Sequence, residues 1–130
     1  MKKNEKTIQY CITFGVNEGF SKNNTEANKL AVGEKIKEFI EKIEKKSGVY
    51  ISGILYKNMA IYKNEWECPY GGEVTFSYIG NQNKAYCKSK KKYKKAVLNL
   101  AKKIKKEYGQ EEVTVAFTKA ELYHIEGKEK

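Results

Sequence analysis

Four segments of this chain alternate apolar and polar residues one by one, and two long segments between them repeat apolar residues every third or fourth position. In TIQYCITFG, residues 7–15, Ile8, Tyr10, Ile12 and Phe14 fall on one face and Thr7, Gln9, Cys11 and Thr13 on the other. That period of two marks a strand with one buried face. EVTFSYIG repeats it, with Val74, Phe76 and Tyr78 against Glu73, Thr75 and Ser77. EEVTVAFT does so again, with Val113, Val115 and Phe117 against Thr114, Ala116 and Thr118. GVYISGILY, residues 48–56, alternates as well, and Lys57–Asn58 predicts a tight turn into a short strand over Met59–Tyr62.

The helical segments are equally distinct. Thr25–Lys46 carries Val32, Ile36, Phe39, Ile40 and Ile43 on one stripe and meets Gly48, a residue suited to a left-handed cap. The second aligns Tyr93, Val97, Leu100, Ile104 and Tyr108 and stops at Gly109. Strands whose second face is rich in Thr and Ser need cover on one side only. The order therefore predicts an α+β fold of the ferredoxin-like kind: βαββαβ with an extra short strand, one antiparallel sheet with both helices on one face. A chain of 130 residues suits one domain. Residues 1–6 and 126–130 read as short charged tails.

Charge supplies the first functional expectation. Every one of the 26 basic residues is Lys and every one of the 16 acidic residues is Glu, for a net charge of +10. Eleven lysines and no carboxylate lie between Lys84 and Lys106, so the rest of the chain is nearly neutral. Like charges three or four residues apart on a helix repel, and an anionic partner relieves that repulsion. A solvated outer helix face is the plainer explanation of such a run. The density of the cluster favours a phosphate-binding surface formed by Lys88, Lys91, Lys92, Lys94, Lys95, Lys102, Lys103 and Lys106. The expected protein is a small, basic, non-catalytic binding module that contacts nucleic acid or an anionic nucleotide. Without Arg to read guanine bidentately, such contacts would carry little sequence specificity. A phage- or mobile-element-borne interaction or inhibitory factor, docking its basic helix on an acidic host protein, is the alternative.

A second stretch, YKNEWECPYGG, holds the chain's one Trp and one Pro. Trp66 and Tyr70 offer flat surfaces for stacking a base or for contact with a partner, although a lone Trp more commonly covers one end of a core. Glu65, Glu67 and Glu73 could gather a magnesium ion and Cys68 offers a thiol, so a small metal-dependent or thiol hydrolase stands third. Cys11, Cys68 and Cys87 are odd in number and form no close-spaced pair, which predicts reduced thiols. With His124 they would make a formal Cys3His set, but zinc ligands usually come in close pairs. No catalytic residue, metal or cofactor is assigned at this level. With no apolar leader or span, a cytoplasmic protein without membrane partners is expected. The Thr- and Ser-rich sheet face leaves a homodimer open.

Overall fold

The protein is described here by a computed structural model covering residues 2–16, 29–125 and 127. Alternation builds β1 (Lys2–Gly15), which sends Ile8, Tyr10, Ile12 and Phe14 into the core. The strand begins at Lys2, so residues 2–6 are not a tail. They pair with β4 from Lys2↔Ile125 to Lys6↔Glu121. Ladder hydrogen bonds come from the backbone, so charged side chains are no obstacle once a long partner strand runs alongside.

The helix α1 (Lys29–Ser47) buries Val32, Ile36, Phe39 and Ile43, and its predicted start at Thr25 lies outside the described residues. Gly48, at φ 78°, ends it by donating its N–H to the Glu44 carbonyl at 2.7 Å. Val49 and Ile51 then enter the core from a connecting segment rather than from a strand.

The predicted turn at Lys57–Asn58 does not exist. Strand β2 (Ile54–Ala60) runs straight through it and pairs from Ile54↔Ile79 to Ala60↔Glu73 with β3 (Glu73–Asn81). The Asn58 amide explains why: it donates to Ser77 Oγ at 3.1 Å and accepts from Thr75 Oγ1 at 2.7 Å. A turn would forfeit both cross-strand bonds, and the extra short strand is no separate element: Met59 and Ala60 end β2, and Ile61 and Tyr62 lie beyond it.

The lysine-rich segment forms α2 (Lys90–Glu107), capped by Ser89, whose Oγ accepts from the Lys92 N–H at 3.2 Å. It buries Tyr93, Ala96, Val97, Leu100, Ala101 and Ile104. The last strand, β4 (Thr114–Ile125), completes an antiparallel sheet of order β2-β3-β1-β4. Two helices over one four-stranded sheet make the expected ferredoxin-like α+β arrangement. Among the described residues no helix is long and apolar enough to cross a membrane.

The core is rich in phenols. Tyr10 packs against Tyr78 and Tyr93 at ring-centroid distances of 6.1 and 6.0 Å and donates its hydroxyl to the Ser52 carbonyl at 2.7 Å. Burial first, and neighbouring phenols second, push Tyr10 and Tyr93 well above the ordinary range and Tyr78 up to about 12. These folded values exceed the unfolded value of 10.0. Their stabilisation is therefore complete below that pH and is lost as the pH climbs through the folded values. In an alkaline titration followed by phenolate absorbance, these three tyrosines should ionise only as near-ultraviolet circular dichroism reports loss of the fold.

The opposite face of β3 is also buried, and it is polar: Glu73, Thr75 and Ser77 are each 8% exposed. Core residues Val74, Phe76 and Tyr78 alternate with them, so this polar stripe faces away from the helices.

Candidate active site

Glu73 opens β3 at the end of a turn built by Pro69, Gly71 and Gly72. Both glycines have positive φ, 81° and 108°, and the Gly72 N–H donates to the Pro69 carbonyl at 2.9 Å. This entry places the Glu73 carboxylate on the polar face of the sheet. Burying a carboxylate is costly unless it is hydrogen-bonded. The register supplies the bond: Ala60 pairs with Glu73, Tyr62 follows two residues later, and Tyr62 Oη donates to Glu73 Oε1 at 3.0 Å. Burial and then the Glu73 carboxylate push the Tyr62 hydroxyl up to about 12, so it is a neutral donor at physiological pH.

Beyond Tyr62 the chain makes a 3₁₀ turn over Asn64–Trp66, closed by the Glu67 N–H donating to the Asn64 carbonyl at 2.8 Å. Glu67 adopts φ 62°, the single non-glycine residue with positive φ among those described, a conformation that costs about 1 kcal/mol or more. The turn lifts Trp66 off the body of the protein. Trp66 is 62% exposed and does not cover the core, which overturns the expectation that a lone Trp would. Lys63 Nζ lies 4.3 Å from the centre of its ring and 3.3 Å from Glu65 Oε2.

A third segment joins these two. At the end of α2, Gly109 (φ 58°) turns the chain and the Gln110 N–H donates to the Lys105 carbonyl at 3.0 Å. Residues 110–112 then reach the same end of the sheet as Glu73. Two cavities result. A cavity of about 260 Å³ is walled by the hydroxyl-bearing Thr13, Thr75 and Thr114 together with Glu73 and Gln110. A larger one of about 750 Å³ is walled by Tyr62, Trp66, Glu65 and Glu67. Glu112 lines both, and the Tyr62–Glu73 hydrogen bond spans them. At Gly15, a Cβ atom would lie 2.7 Å from Gln110 Oε1 and 3.1 Å from Glu73 Oε2, so the glycine keeps the smaller cavity open.

Five glutamates line this cleft and, among the described residues, no lysine does, in a chain of net charge +10. Such a cleft attracts a small cation. The lysines expected to bind phosphate stand elsewhere. Lys88, Lys91, Lys92, Lys94, Lys95, Lys102 and Lys106 are exposed and Lys103 is half-buried, and none lines either cavity. Of the two aromatic candidates Trp66 joins the cleft, whereas Tyr70 is fully exposed outside it. Among the described residues no three His, Cys or Glu side chains gather to hold a metal, so neither Glu65–Glu67–Glu73 nor the cysteines with His124 form such a site. All three cysteines are free thiols.

Sequence reasoning passed over Tyr62 and Glu112 and treated Glu73 only as a metal candidate. One signal was present, a carboxylate on the Thr/Ser face of a strand directly after Gly-Gly. Nothing local marks Tyr62 or Glu112, whose roles come from strand register and from the turn after α2.

The fold and the cleft together define a ferredoxin-like α+β domain with an acidic, partly aromatic cleft at one end of its sheet. The chain belongs to the SAM lyase family, whose model matches residues 5–126. It is similar to a solved phage SAM lyase in complex with S-methyl-5'-thioadenosine, at 16% identity and a TM-score of 0.59, covering 95% of this chain and 93% of that one. A phage SAM lyase in its apo state gives 15% identity, a TM-score of 0.60 and coverage of 96% and 94%. At such identities these likenesses speak for the fold. No curated protein matches the chain.

Family membership corrects the functional expectation. A non-catalytic module for nucleic acid, a factor docking on an acidic host protein, and a metal-dependent or thiol hydrolase are all set aside by membership in the SAM lyase family. The physical reason for the error is visible: the lysines form the wet side of a helix whose apolar stripe is buried, and the cleft carries the opposite charge.

Proposed function

We propose that this protein cleaves S-adenosylmethionine at the bond between the sulfonium and Cγ of the amino-acid chain, releasing S-methyl-5'-thioadenosine. The observation that carries this reading is the buried Glu73 carboxylate held by the half-buried Tyr62 phenol at the junction of two acidic cavities, in a chain of the SAM lyase family. The larger, aromatic-walled cavity suits the adenosine, which needs volume and a flat surface. The smaller one suits the amino-acid end, with the Thr13 and Thr114 hydroxyls for its carboxylate and Glu73 for its ammonium.

A lyase breaks the bond without water. The substrate's own carboxylate lies within five-membered-ring reach of Cγ, and such internal attack has a very high effective concentration when the chain is held folded. A carboxylate oxygen forms the new bond to Cγ, the Cγ–S pair of electrons passes to sulfur, and the neutral thioether departs. The four-carbon fragment leaves as homoserine lactone, with no proton transferred. Removing a weakly acidic Cβ proton with a carboxylate base is the more demanding route. The protein's work is then positioning. Glu73 pins the ammonium, Tyr62 fixes the carboxylate of Glu73, and the threonines orient the attacking group.

Incubation with S-adenosylmethionine, followed by chromatography, should give S-methyl-5'-thioadenosine and homoserine lactone in equal amounts. Tyr62→Phe should lower kcat about tenfold while leaving the fold intact, the size expected for losing one hydrogen bond to a charged group. A wild-type protein that forms no S-methyl-5'-thioadenosine would overturn the proposal.

A further inference from the structure

We infer that Glu112 is the residue by which the cleft distinguishes a sulfonium from a neutral thioether, and that it acts on binding rather than on bond breaking. This rests on reading the cleft as the S-adenosylmethionine site. Its ground is placement. Among the described residues Glu112 is the one that lines both cavities, so it faces the point where the adenosine and amino-acid portions of the ligand meet, which is the sulfur. Two of the neighbouring acids have other engagements, Glu73 accepting from Tyr62 at 3.0 Å and Glu65 pairing with Lys63 at 3.3 Å, while Glu111 and Glu67 each line one cavity only. The Trp66 ring in the same cavity already holds a cation, the Lys63 ammonium, at 4.3 Å, which shows that this wall accepts positive charge.

The chemistry fixes the direction of the effect. The sulfur carries a full positive charge in the bound substrate, less as the Cγ–S bond stretches, and none in the product. A carboxylate beside it therefore stabilises the bound substrate more than the transition state, and the product not at all. Interactions of that kind lower KM without raising kcat. The same carboxylate disfavours S-adenosylhomocysteine, whose sulfur is neutral, relative to the substrate, and it lets the thioether product go. Glu112 is thus a specificity-determining residue, distinct in role from Glu73, whose ammonium partner keeps its charge throughout the reaction.

The test compares Glu112→Gln with the wild type in three measurements: steady-state turnover of S-adenosylmethionine, and calorimetric binding of S-adenosylhomocysteine and of S-methyl-5'-thioadenosine. KM should rise about tenfold with kcat unchanged or higher, while both neutral ligands keep their Kd within about twofold. Glu112→Lys should extend the rise in KM to about a hundredfold or more with the Kd of S-methyl-5'-thioadenosine still retained, which also certifies that the variant is folded. A KM that stays put overturns the inference. So does a parallel loss of affinity for the neutral ligands, which would make Glu112 a matter of shape, or a fall in kcat, which would place it in the chemical step. If the wild type itself makes no S-methyl-5'-thioadenosine, the reading of the site fails. If the wild type turns over and only the Glu112→Gln pattern is missing, that reading stands and the role of Glu112 falls.

Discussion

Glu73→Gln should leave a folded protein that turns over S-adenosylmethionine about a thousandfold more slowly, because a small misplacement of the attacking group forfeits most of the advantage of ring closure. Glutamine matches glutamate in size, and its carbonyl can still accept from Tyr62, so the 3.0 Å hydrogen bond and the local packing survive. What disappears is the charge proposed to hold the ammonium end. The substrate then samples many conformations in which its carboxylate does not stand behind Cγ. Product formation measured by chromatography, beside an unchanged far-ultraviolet circular dichroism spectrum, separates this effect from unfolding. A Gln variant retaining more than about a tenth of the wild-type rate would remove Glu73 from the reaction. Glu73→Ala is the less informative change, because it also deprives the half-buried Tyr62 hydroxyl of its acceptor.

The second large effect concerns the fold. Gly80 pairs with Tyr10 across β1 and β3, on the face that meets the helices. A Cβ atom there would collide with the Ser52 carbonyl oxygen and lie 2.7 Å from Tyr10 Oη and 2.8 Å from Tyr10 Cε1. Tyr10 is fully buried and spends its hydroxyl on that same Ser52 carbonyl. Gly80→Ala should therefore lower the unfolding free energy by about 3 kcal/mol, combining the cost of overpacking with the loss of the Tyr10–Ser52 hydrogen bond. Urea denaturation monitored by tyrosine fluorescence and circular dichroism measures it. A loss below about 1 kcal/mol would mean that the connection through Ser52 moves aside easily.

Where residue alternation or helical spacing was strong, the architecture was legible. The apolar faces of β1 and β3, the partly buried one of β4, and the stripes of both helices lie as their patterns imply. Three local signals misled. The alternation of residues 48–56 reads as a strand throughout, yet β2 starts only at Ile54 and Val49 and Ile51 reach the core from a connecting segment. Lys57–Asn58 has turn chemistry, but cross-strand bonds from Asn58 to Thr75 and Ser77 reward an extended chain more. Lys2–Lys6 look like a charged tail, yet a backbone ladder with β4 is indifferent to them. The site was harder to see. The loudest compositional feature, the lysine run, records how a helix keeps its outer side in water. The quiet residues form the cleft, because Tyr62 meets Glu73 only through the β2–β3 register, and Glu112 joins them only after the turn that ends α2. Contacts made by register and by turns leave no periodic trace in a sequence.

The β2–β3 register has a thermal consequence. Strand β2 lies at the edge of the sheet and shows little buried surface, whereas β1 is flanked on both sides. Edges of this kind open in local, partial unfolding events at lower free energy than the whole molecule. Each such opening should part Tyr62, two residues beyond the end of β2, from Glu73 while the helices and the central strands stay docked. Warming should therefore separate this pair before it melts the domain, so the temperature at which the proposed activity fails is set by one strand rather than by the core.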